Sequence, residues 1–101
     1  MNEALKAIAP VRSASRVVCA ANRVNGHVIC GARHGDSVMR AQAALLGNAY
    51  SFMQENVVEG FIDQHGQFLT REEAWQVALT AGQIYRRVGG DEGCLYSENL
   101  Y

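Results

Sequence analysis

Asn25-Gly26 constrains this chain more than any other pair of residues. Both tolerate a positive φ, as a two-residue type I′ turn demands, and that turn matches the twist of the strands it joins. The pair lies between two apolar, β-prone runs, Val17-Val18-Cys19 and Val28-Ile29-Cys30, so residues 16–32 read as a hairpin. With the turn as pivot, Asn22 opposes Ile29, Ala20 opposes Gly31 and Val18 opposes Arg33. Continued alternation puts His34 on the face of Cys19, Ala21, Cys30 and Ala32, beside small side chains.

The remaining elements follow from local signals. Asp36 is a natural N-cap for a helix starting at Ser37. That helix carries Val38, Leu45, Ala49 and Phe52 at helical spacing, with Gly47-Asn48 as a break or kink. A second hairpin runs from Val57–Ile62 through the turn cluster Asp63-Gln64-His65-Gly66 into Gln67-Phe68-Leu69. Thr70-Arg71-Glu72-Glu73 is a capping box and starts a second helix. Its apolar stripe is Ala74, Val77, Ala78, Ala81 and Ile84, and Gly89-Gly90 ends it. Gly82 inside that pattern suggests close approach by another element, because glycine costs a helix about 1 kcal/mol relative to alanine. The tail, CLYSENLY, is too aromatic and apolar to stay loose and should dock. The expectation is one small α+β domain over residues 15–101, preceded by an arm over 1–14. Two hairpins form an antiparallel sheet, two main helices pack on it, and Trp75 and Phe61 belong to its core.

Composition narrows the function classes. The chain has 101 residues and a formal net charge of -1. Proteins that track a nucleic-acid backbone are usually strongly basic, so no nucleic-acid polymer is expected as partner. No run approaches the roughly 18 apolar residues of a membrane span, and no membrane is expected. The first residues are broken by Lys6, Pro10 and Arg12 and do not read as a secretory leader. The three cysteines, Cys19, Cys30 and Cys94, are odd in number and without close spacing, which fits a reduced, cytoplasmic protein. A chain this short buries only about 60–70% of its unfolded surface, so a homo-oligomer is expected.

Arg33-His34-x-Asp36 gathers a cation, an imidazole and a carboxylate at a strand-to-helix junction. Arg33 can fork two hydrogen bonds onto a phosphate or carboxylate. His34 can donate to a phosphate oxygen or serve as acid or base near neutral pH. Asp36 can accept ribose hydroxyls or orient His34, and it can equally cap the helix. The caps already use the N–H groups of both helix starts, so an anion must be met by side chains, with Arg71 assisting. In the tail, Tyr96 can stack on a base while Ser97 and Glu98 bond its edge or a ribose, with Tyr101 nearby; the alternative is a tail that simply packs. His27, His34, His65 and the cysteines lack recognised metal-ligand spacing, so no metal is expected, and no cofactor is implied.

ICGARHGDSVM, EGFIDQHGQFLTREEAWQVALTAGQI and LYSENLY together resemble a family of small phage and prophage proteins, over most of residues 28–101. The resemblance implies a phage accessory protein acting in the bacterial host cytoplasm. Other small phage proteins of this size sequester or cleave nucleotide signals of bacterial immunity. By that analogy the expected ligand is a small nucleotide, a cyclic nucleotide or an ADP-ribose derivative, held by a non-catalytic sponge. The alternatives are a metal-independent phosphodiesterase with His34 as acid or base and His27 or His65 as partner, and a protein-binding inhibitor of a host defence protein.

Overall fold

The computed structural model describes residues 14–47, 50 and 56–101. In chain order the elements are β1 (Val17–Val24), β2 (His27–Gly31), α1 (Ser37–Leu46), β3 (Val58–Asp63), β4 (Phe68–Thr70) and α2 (Arg71–Thr80), followed by a short 3-10 turn over Ser97–Asn99. Asn25 and Gly26 take φ values of 51° and 82°, as the tight turn between β1 and β2 needs. Asn22 opposes Ile29 and Ala20 opposes Gly31. The expected Val18–Arg33 pair does not form, because β2 ends at Gly31.

The two hairpins join through β1 and β3, giving one antiparallel sheet of order β2-β1-β3-β4. Ala20 lies opposite both Gly31 and Phe61, so Ala20, Asn22, Val24, Ile29 and Phe61 share the face that α1 and α2 cover. A register shift between Val17 and Cys19 flips the alternation there and brings Val17 into the same core. Phe61, Met39 and Leu95 are its largest fully buried apolar side chains. Each is worth about 1.5–3 kcal/mol of burial. The fold is thus the expected α+β domain, with the tail docked through Leu95.

Both helices differ in detail from the pattern read in the sequence. α1 buries Met39 and Ala43, whereas Val38 and Leu45 point outward, Leu45 being 88% exposed. The expected positions Ala49 and Phe52 lie outside the described residues, as does the arm except for Ala14. α2 stops at Thr80 rather than at Gly89-Gly90. Gly82 takes a φ of 70°, and a side chain there would meet nothing within 4 Å. It terminates the helix and is not a point of close approach. Ile84 therefore packs on the core from the following loop. The close glycine contact occurs at Gly60, where a Cβ would overlap the Leu69 carbonyl oxygen and the Phe68 ring.

Candidate functional site

Asp36 is built into the junction between β2 and α1. One carboxylate oxygen accepts from Met39 N at 2.9 Å and the other from Arg33 N at 3.0 Å. These two bonds hold its carboxyl below the usual carboxylate range. The carboxylate occupies the space a side chain at position 31 would need, so Gly31 is required. Asp36 is therefore the N-cap of α1 and shapes the Arg33 loop, with both oxygens already committed.

Beyond Gly31 the strand alternation lapses. Residues 32–35 form a bend, closed by Gly35 at φ 75°. This turn carries His34 away from the expected small-residue face and over to Phe61. The two rings meet edge to face at 5.2 Å and 85°. His34 Nε2 lies 2.8 Å from the Gly60 carbonyl oxygen. A carbonyl only accepts, so Nε2 carries the proton and Nδ1 is left as the acceptor. Facing Nδ1 at 3.5 Å is Arg71 Nη2. Burial pushes the His34 pKa below its ordinary value; the Gly60 bond works against this and the Arg71 charge adds to it. Burial thus favours the neutral imidazole, whose Nε2 is engaged by Gly60 and whose Nδ1 faces Arg71.

Two arginines then clamp the tail. Arg71 Nη1 donates to Leu95 O at 2.7 Å, Arg71 Nη2 donates to Glu59 Oε1 at 2.8 Å, and its guanidinium lies 4.6 Å over the Tyr96 ring. From the other side, Arg33 donates to Ser97 Oγ at 3.1 Å and to Tyr101 O at 2.6 Å, and lies 4.9 Å over the Tyr101 ring. The Tyr101 hydroxyl donates back to Ala32 O at 2.6 Å. Glu98 Oε2 stands 4.0 Å from Arg33, a loose ion pair between half-exposed groups.

All seven residues singled out in the sequence, Arg33, His34, Asp36, Arg71, Tyr96, Ser97 and Glu98, belong to this one corner. Four contributors escaped notice. Glu59 neutralises Arg71, and Gly60 presents the carbonyl to His34. A glycine inside an apolar strand is a signal of close backbone approach and could have marked position 60. Asp91, just before the tail, and Asn99, within it, are 2% and 0% exposed, and no local pattern announces them. Asn99 Nδ2 donates to Asp91 Oδ2 at 2.9 Å, and Arg87 grips the same carboxylate with two bonds of 2.8 and 2.6 Å. Among the described residues no three His, Cys, Asp or Glu side chains gather as a cation site.

These features define a small α+β domain that clamps its own tail between two arginines. The chain belongs to the Phage T4 y16D protein family, whose profile matches residues 16–101. No curated protein and no solved structure matches it. No helix among the described residues is long and apolar enough to cross a membrane.

Proposed function

We propose that this phage protein binds and sequesters a small nucleotide immune signal, a cyclic nucleotide or an ADP-ribose derivative, in the host cytoplasm. The observation that carries the reading is the state of Arg33. Its side chain is 37% exposed, it is positioned by bonds to Ser97 Oγ and Tyr101 O, and its ion pair with Glu98 is stretched to 4.0 Å. The guanidinium is held in place with part of its surface open, which suits it to a phosphate. The half-buried Tyr96 ring in the same corner, which Arg71 lies over, is the group suited to stacking on a base, and the Glu98 carboxylate is an acceptor for ribose hydroxyls.

Sequestration is favoured over cleavage by His34. A general acid or base needs a nitrogen free to meet the substrate, and both of its nitrogens already have partners. The partner histidines required by the phosphodiesterase reading lie elsewhere. His27 pairs with Val24 next to the Asn25-Gly26 turn, at the other end of the hairpin from Arg33, and His65 sits in the turn between β3 and β4.

The test incubates the protein with a panel of cyclic dinucleotides and ADP-ribose derivatives, denatures it and examines the supernatant. Intact ligand released only on denaturation is the expected result. A new product would favour the phosphodiesterase, and ligand free throughout would favour the inhibitor of a host protein. Arg33→Ala is expected to abolish ligand-induced thermal stabilisation while the ligand-free melting temperature stays within a few degrees. A collapsed ligand-free fold would make Arg33 purely structural.

A further inference from the structure

A cleft of about 630 Å³ opens beside α2 and shares no residue with the Arg33–Arg71 corner. One wall is the segment leading into β1. It is fixed without a neighbouring strand: Gln64 Nε2 donates to Ala14 O at 2.7 Å, and Gln64 Oε1 accepts from Arg16 N at 2.8 Å. Ser15 Oγ donates to Asp63 at 3.2 Å, and Gln83 brackets Val17 through its N–H and its carbonyl. The other wall is α2, where Val77 and Ala81 form an apolar ridge at i, i+4 spacing and Gln76 and Thr80 a polar ridge beside it. This volume falls within the range of about 300–1,000 Å³ common to small-molecule sites.

The chemistry of the walls is lopsided. Among the described residues the Arg16 guanidinium has no hydrogen bond and no ion pair, and the Gln76 and Thr80 side chains have no hydrogen bond. Among the described residues no acid forms an ion pair with Arg16. Glu73 closes the capping box on Thr70, Glu72 accepts from Cys94, and Asp63 accepts from Ser15 and from the backbone of its own turn. A preorganised cleft with one uncompensated cation, two free neutral polar groups and an apolar ridge is complementary to an amphipathic anion. The last carbonyls of α2 lie at the Thr80–Ala81 end and disfavour negative charge there.

We infer that this cleft is a second binding site, for a small amphipathic anion whose carboxylate, phosphate or sulfonate sits on Arg16 and whose apolar body lies along Val77 and Ala81. Gln76 and Thr80 flank it and bond any amide or hydroxyl it carries.

The probe is 8-anilinonaphthalene-1-sulfonate, titrated into the full chain and followed by amide chemical shifts. One saturable site is expected, with shifts concentrated at residues 14–16, 64 and 76–81. Arg16→Gln should weaken it at least five-fold, and the uncharged parent 1-anilinonaphthalene should bind more weakly by a similar factor. Ala81→Phe, which fills the cleft, should abolish binding. Thr80→Trp, at an exposed position, does the same should the first variant not fold. Shifts centred elsewhere, an Arg16→Gln affinity equal to that of the native chain, or binding that survives a filled cleft would each overturn the assignment.

Discussion

Gly60 leaves no space for even a methyl group, since a Cβ would overlap a backbone carbonyl that cannot swing aside. Gly60→Ala is expected to cost at least about 2 kcal/mol, and to release His34 as the carbonyl shifts. Equilibrium urea unfolding measures the first effect and the imidazole NMR shifts the second. His34 itself sets a pH dependence. Its folded pKa lies below the ordinary histidine value, so the unfolded chain takes up the proton first. Stability is therefore full above roughly pH 6.5 and falls as pH drops through that value toward the lower folded pKa. The melting temperature should decline across this window, and His34→Gln should flatten the decline. An unchanged slope in that variant would mean that another group titrates. The sequence identified His34 as special but not its surroundings. Alternation predicts a face only while the strand lasts, and the strand ends three residues before it.

Glutamine side chains secure the elements at three places where backbone groups would lack partners. Gln42 brackets Cys30 on the outer edge of β2, Gln83 brackets Val17, and Gln64 brackets the residues before it. The first matters most, because β2 is an edge strand and an open edge invites pairing with another chain. Gln42→Ala should cost about 1 kcal/mol and raise self-association, read by sedimentation at increasing concentration; a variant that stays as the native chain does would show the edge to be guarded otherwise. The turns and caps were legible in the sequence because each is decided within four residues. Thr70 and Glu73 exchange bonds of 3.2 and 2.9 Å, as the capping box requires. The buried face of α1 was not legible. Val38 and Leu45 have the right spacing, but Asp36 fixes the helix start and thereby turns Met39 and Ala43 to the sheet.

At the scale of the whole molecule, the tail ties down the loop that follows α2, and Asn99 is where the two meet. Its Oδ1 accepts from Tyr96 N at 2.8 Å, its Nδ2 donates to Arg86 O at 3.0 Å and to Asp91 at 2.9 Å, and its carbonyl accepts from Tyr85 N at 2.7 Å. Such a node depends on residues far apart in the chain, which is why the sequence showed an aromatic tail but not its lock. Asn99→Ala leaves three partners short of a bond, of which Asp91 is fully buried, and should cost about 2 kcal/mol. It should also speed amide exchange across residues 95–101 and, by loosening Tyr96 and Ser97, lower the affinity of the Arg33 corner. Asn99→Asp separates packing from charge, because its shape is conserved. A carboxylate there keeps the acceptor for Tyr96 but faces Asp91, whose own carboxyl is held low chiefly by the Arg87 bond. The new acid then has a raised folded pKa. Its destabilisation should be greatest at pH 7 and ease as the pH falls toward 5, opposite in sign to the His34 effect. Melting curves of Asn99→Asp in a His34→Gln background would isolate that slope, and a pH-independent loss would show that Asn99 acts by shape alone.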